Sequence, residues 1–163
     1  MTNFKELLGT LRTNGVEFVL VGGMAAIVHG SSRLTEDLDI VYRRTPENMD
    51  RLARALSPHQ PYLRGAPPGL PFQWDAATIQ RGLNFTLDTS LGQIDILGDI
   101  TGGGSYDALA PHCLSLEVYG MPCLVINLER LIYVKRAAGR RKDMDAIAEL
   151  ELLRDQANEP HEQ

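Results

Sequence analysis

Residues 18–42 read FVLVGGMAAIVHGSSRLTEDLDIVY, and the fold follows from how that stretch divides. Phe18 to Val21 is a short continuous apolar run, the pattern of a strand buried on both faces. Gly22 and Gly23 permit a tight turn and, lacking Cβ atoms, let the backbone come close to a ligand. Met24 to His29 reads as the start of a helix whose free N–H groups point back at the glycine turn, which suits phosphate. The stretch closes on Asp37 and Asp39 in a β-branched run. Side chains alternate faces along a strand, so these two share one face while Leu38 and Ile40 take the other. Carboxylates about 7 Å apart along a strand repel each other unless a cation sits between them. Oxygen-only ligands of this kind suit Mg²⁺ held together with substrate phosphates. The prediction is a phosphate cradle joined through one short helix to a carboxylate pair.

Upstream, Phe4, Leu7, Leu8 and Leu11 recur at helical spacing, with Asn3 and Glu6 as a capping box and Asn14-Gly15 as the stop. Downstream, Pro46 opens an amphipathic helix running to about Leu56. The five prolines between Ser57 and Pro71 predict an irregular loop. Phe72 and Trp74 either line a cleft there or pin the loop to the core. A short helix is expected from Asp75 to Arg81, ended by Gly82. Leu83, Phe85 and Leu87 then alternate with polar residues, Ser90-Leu91-Gly92 turns a hairpin, and the returning strand runs from Gln93 to Leu97. Asp95 stands inside that strand between Ile94 and Ile96, where an unpaired buried carboxylate is costly. It is the natural third carboxylate. Asp88 and Asp99 compete for that role but sit at strand ends, where solvation or capping is the simpler use.

Gly102-Gly103-Gly104 reads as a flexible surface loop, because it lacks the lysine and the spacing of a P-loop. A second hairpin follows from Ser115 to Ile126, turning near Gly120. Asn127 caps a helix in which Leu128, Leu131 and Ile132 form the inward stripe, and Lys135 takes the next position of that stripe. Lysine is almost never fully buried unless paired. Lys135 therefore either reaches carboxylates or phosphate, or snorkels at the helix edge. Gly139 ends the helix, Asp143 is expected in the first turn of another, and Arg140, Arg141 and Lys142 form a basic cluster.

The chain's 163 residues suit one domain, able to bury roughly two thirds of its unfolded surface. Residues 1–155 are expected as the folded unit and 156–163 as a polar tail. The net charge of −5 argues against a broad non-specific nucleic-acid footprint but leaves room for a local basic patch. Cys113 and Cys123 show no metal-type spacing and are expected to be reduced. The opening MTNFKELL lacks the pattern of a secretory signal, and no apolar run is long enough to span a bilayer. A cytoplasmic protein without membrane contact is expected.

Gly22-Gly23-Met24-Ala25, then Arg33 through Asp39 (RLTEDLD), then Asp95 on another strand, resemble the signature of the DNA polymerase β-like nucleotidyltransferase superfamily. The arrangement is most similar to small bacterial nucleotidyltransferase-like proteins related to the toxin of abortive-infection (type IV) toxin–antitoxin systems. Their late K…R-x-K-D segment is matched by Lys135 and Arg140 to Asp143. One departure is Gly23, where many superfamily members carry serine; the GG form occurs in the toxin-like branch.

The resemblance implies an α/β (α+β) nucleotidyltransferase fold, with a short mixed sheet and helices packed mainly on one side. It also implies a reaction: an acceptor oxygen attacks the α-phosphate of an NTP and pyrophosphate leaves. Asp37, Asp39 and Asp95 would be the ligands of Mg²⁺ or Mn²⁺, and Asp95 would also take the acceptor proton. Gly22, Gly23 and the amide of Met24 would hold phosphates, with Lys135 and Arg33 neutralising their charge, and Asp143 would belong to the same site. The acceptor stays open between an RNA or tRNA end, a protein hydroxyl and a small molecule of the aminoglycoside kind. An antitoxin protein is an expected partner. A nucleotide- or partner-binding module without turnover is the remaining alternative.

Overall fold

The computed structural model describes residues 1–160. Seven strands form one mixed sheet: β1 (Phe18–Val21), β2 (Asp37–Tyr42), β3 (Tyr62–Leu63), β4 (Phe85–Thr89), β5 (Gly92–Leu97), β6 (Cys113–Val118) and β7 (Met121–Ile126). Their order across the sheet is β3-β4-β5-β2-β1-β7-β6. All four residues of β1 are buried, as expected of a strand near the middle of the sheet. It runs antiparallel to β2 and parallel to β7, and β2 runs parallel to β5.

Among the described residues there are seven α-helices: α1 (Phe4–Thr13), α2 (Gly22–Val28), α3 (Pro46–Leu56), α4 (Ala76–Arg81), α5 (Tyr106–Leu109), α6 (Leu128–Ala138) and α7 (Met144–Asn158). Their starts follow local chemistry. Asn3, Thr45, Asp75 and Asn127 each accept a hydrogen bond from the backbone N–H three residues on, satisfying a donor that the first helical turn leaves free. Gly139 ends α6 in the left-handed conformation that glycine adopts without strain. This mixed α/β architecture is the one expected from sequence. Among the described residues no helix is long and apolar enough to cross a membrane.

The register of β2 and β5 positions the site. Asp39 pairs with Asp95, and Leu38 and Ile40 pair with Ile94 and Ile96. Those four aliphatic side chains are fully buried, each worth about 1.5–3 kcal/mol. That burial holds the two strands together although their other face presents carboxylates that repel. The N-terminus laces the same strand ends. Asn3 N–H donates to Leu91 O at 2.7 Å, Gln93 N–H donates to the Thr2 hydroxyl at 3.1 Å, and that hydroxyl donates to the carbonyl of Glu36.

Some elements differ from expectation. α2 begins at Gly22, not Met24, because Gly22 takes φ +68 and turns the chain at once. The proline-rich segment is not wholly irregular: Ser57–His59 is a 3₁₀ turn, and Tyr62–Leu63 adds strand β3 to the free edge of β4. Trp74 pins the segment to the core. It is buried, stands edge-on to Phe85 at 5.3 Å and donates its indole N–H to Leu52 O. The Gly102 turn packs on α6, where an added Cβ would lie 2.6 Å from the Cβ of Ala137. Asp143 ends a 3₁₀ turn and immediately precedes α7 rather than lying within it. α7 runs through Asn158, so the first residues expected in the tail are helical, while 161–163 lie outside the described residues.

Candidate active site

Asp37, Asp39 and Asp95 converge. Each offers a carboxylate oxygen, and the three oxygens lie within 4.8 Å of one another, the one such grouping of potential metal ligands among the described residues. Asp39 Oδ1 and Asp95 Oδ1 are buried with no hydrogen-bond donor among the described residues. Burial, with the charges of Asp37 and Asp95, pushes the Asp39 carboxyl up to about 8, and Lys135 pulls it the other way. Asp95 is raised too, by burial and by Asp37, with Arg64 opposing. Three mutually repelling carboxylates, two of them with an unpaired buried oxygen, are the donor set that a hard divalent cation satisfies. The residues fit such an ion.

The glycine turn stands directly against this cluster. A Cβ on Gly22 would come 2.0 Å from Asp39 Oδ2, and one on Gly23 would come 2.6 Å from Thr35 Oγ1. The Met24 side chain is buried in the core and does not reach the cluster as a ligand group. Gly23, Arg33, Lys135, Lys142 and Asp143 share the wall of a cavity of about 180 Å³. Lys135 Nζ lies 4.0 Å from Asp143 Oδ1, and Arg140 Nε donates to the other oxygen of Asp143 at 2.7 Å. Asp143 is buried and lines the lysine's end of the cavity.

Two features were not read from sequence. The first is Arg64, placed by β3 beside the carboxylates. Its Nη1 is 3.1 Å from Asp95 Oδ1 and 3.8 Å from Asp37 Oδ2, a charge contact out of hydrogen-bond alignment. The signal available was the β-prone Tyr62-Leu63 pair just before it. The second is Glu149 on α7, which accepts hydrogen bonds from the hydroxyls of Ser31 and Ser32 and from the Ser32 amide, and lies 3.9 Å from Arg33. These hydroxyls hold its carboxyl below the usual range. Glu149 thereby secures the loop between α2 and β2. Asp88 and Asp99 do not join the cluster: Asp88 pairs with Arg64 at 3.3 Å, and the backbone of Asp99 contacts Asn84. Cys113 and Cys123 are free, and burial raises both thiols, Cys113 to about 11.

A glycine turn against a strand-borne aspartate pair, completed by a third aspartate on the neighbouring parallel strand, defines a nucleotidyltransferase. The chain belongs to the AbiEii family, the nucleotidyl transferase toxins of type IV toxin–antitoxin systems, whose sequence profile matches residues 7–106. It is a transferase. Lys135, Asp143 and Glu149 lie beyond the matched residues.

Solved structures with the same fold include that of ANT(2'')-Ia, an antibiotic-resistance factor. It is 14% identical, with a TM-score of 0.57 over 93% of this chain and 87% of that one. ANT(2'')-Ia in complex with adenylyl-2''-tobramycin gives 15% identity and a TM-score of 0.56 over 93% and 92%. The TM1012 protein of Thermotoga maritima gives 18% and 0.51 over 96% and 91%. No curated protein matches the chain.

Proposed function

We propose that this enzyme transfers a nucleoside monophosphate from an NTP to a hydroxyl acceptor, with Mg²⁺ or Mn²⁺ as cofactor. The acceptor oxygen bonds to the α-phosphorus, the bond to pyrophosphate breaks, and the acceptor proton passes to Asp95. The observation that carries this reading is the set of three carboxylate oxygens within 4.8 Å, two of the carboxylates holding a buried unpaired oxygen. Asp37 and Asp39 would hold the divalent cations, and Asp95 would complete the acceptor-side set. When bound, such ions neutralise the charge of the attacking and leaving oxygens.

The chain's own residues do the rest. The amides of Gly22, Gly23 and Met24 orient the β- and γ-phosphates, since the glycines leave the approach to Asp39 open. Lys135 offsets the triphosphate charge, held in place by Asp143. Arg33 adds a second cation on the rim of the same cavity. Family membership supports a toxin-type role and an antitoxin partner; the acceptor in that reading is an RNA or tRNA end or a protein hydroxyl. The fold shared with ANT(2'')-Ia keeps a small-molecule acceptor as the second reading.

Growth decides the toxin-type reading. Expression of the intact chain slows growth and Asp39→Ala relieves it; equal growth of the two strains contradicts it. RNA as acceptor predicts binding that falls steeply with salt as counterions regain the phosphates, and a small-molecule acceptor predicts no such slope.

A further inference from the structure

Arg64 is built into the sheet edge by contacts that owe nothing to the carboxylate cluster. Its amide donates to Thr86 O at 2.9 Å, continuing the β3–β4 ladder. Its Nη2 donates to Leu87 O at 2.9 Å and its Nε lies 3.3 Å from Asp88 Oδ1. Only Nη1 faces the cluster, 3.1 Å from Asp95 and 3.8 Å from Asp37. Its side chain is 23% exposed. Asp39, whose Oδ2 faces Gly22, has no contact with Arg64, and its Oδ1 has no hydrogen-bond donor among the described residues. The cluster is therefore asymmetric, with a fixed guanidinium on the Asp95 side and none on the Asp39 side.

We propose that Arg64 is a resident counter-cation of the cluster, a positioning residue that holds Asp37 and Asp95 together and competes with a divalent cation for their shared side. This rests on reading the three aspartates as the cation site. A unit charge a few ångströms away changes the affinity for a second cation by tenfold or more at protein dielectric values. The glycine side, next to the phosphate cradle, loads first. On the Asp95 side the entering ion must turn Nη1 away, while the Leu87 and Asp88 contacts keep the guanidinium beside the acceptor.

The test is Mn²⁺ binding to the full chain without nucleotide, by calorimetry, for the intact protein, Arg64→Gln and Arg64→Lys. Arg64→Gln is expected to bind Mn²⁺ about tenfold or more tightly, with a lowered melting temperature that Mn²⁺ restores, and Arg64→Lys to stay near the intact protein. A merely structural arginine would lower the melting temperature and leave Mn²⁺ affinity unchanged or weaker, which overturns the proposal. Equal binding by all three proteins, lost in Asp39→Asn, overturns the role of Arg64 alone. Absence of binding by all of them overturns the cation reading as well. In the unmodified protein, the ¹⁵N resonance of Arg64 Nε, assigned through Arg64→Lys, should shift on Mg²⁺ loading. A fixed resonance while the Asp95 carboxyl carbon shifts overturns the proposal without any folding question.

Discussion

Gly22 and Asp39 compete for one volume: a Cβ on the glycine would sit 2.0 Å from Asp39 Oδ2, in a backbone with φ +68. The glycine turn and the carboxylate strand are thus parts of one site. Gly22→Ala should cost about 1–3 kcal/mol through backbone strain and lower the transfer rate about 100-fold by displacing Asp39. Gly23→Ala meets the Oγ1 and Cβ of Thr35 at 2.6 and 2.8 Å, so the loop must shift, but Gly23 carries no positive φ and its Cβ does not meet Asp39, so its effect should be smaller in both assays. Urea unfolding and transfer rates check the order, and equal effects would contradict it.

Stability should respond to pH through Asp39. Its carboxyl rises from an ordinary 3.8 to about 8 in the folded chain, chiefly through burial and then through Asp37 and Asp95. The folded state therefore holds a proton that the unfolded state has released, and the stability this gives is lost as pH climbs from about 4 to about 8. In the presence of a chelator the melting temperature should fall between about pH 6 and about pH 8. Millimolar Mg²⁺ or Asp39→Asn should flatten that slope. A slope indifferent to both would contradict the electrostatic picture of the cluster.

Lys135 should act on the nucleotide more than on the fold. Its side chain is 15% exposed and points its charge at the cavity beside Asp143. Lys135→Met keeps the stem's packing and removes the charge, so NTP affinity should weaken about tenfold or more with little change in melting temperature. Asp143→Asn should weaken affinity less and lower stability more, because Arg140 loses its ion-pair partner and the buried group its charge. Calorimetry with an NTP, beside thermal melts of both variants, separates the two.

Asn48 ties the helix after β2 to the start of β1. It is fully buried, accepts from the Glu17 amide at 2.7 Å and donates to the carbonyls of Glu17 and Arg43 at 2.9 and 2.7 Å. Each buried group left unpaired costs about 1–3 kcal/mol, so Asn48→Ala should lose about 2–4 kcal/mol in urea unfolding. A loss below about 1 kcal/mol would mean that water replaces it.

What could be read from the sequence was local. The alternation that puts Asp37 and Asp39 on one face, the glycines before α2, and the caps Asn3 and Asn127 depend on residues a few positions apart. Asp95 was legible because a carboxylate between two isoleucines needs a partner. Arg64 was hidden because its place depends on a two-residue strand finding the edge of β4, a pairing that proline-rich composition argues against. Glu149 was hidden because its serine partners lie more than a hundred residues upstream, where no periodicity reaches. The start of α2 moved to Gly22 because a positive φ at that residue makes the turn and the helix one event.

The central claim is that the carboxylate cluster transfers nucleotides. Its most direct test is incubation with each α-³²P-labelled NTP, Mg²⁺ or Mn²⁺, and total cellular RNA and protein, beside Asp37→Ala/Asp39→Ala. The account predicts label on a macromolecular acceptor with the intact chain alone, which names the acceptor class and the nucleotide together. Label in neither sample, with metal-dependent NTP binding preserved, would contradict macromolecular transfer and turn the search to small acceptors. Equal label in both would show that the cluster is not the site of the chemistry.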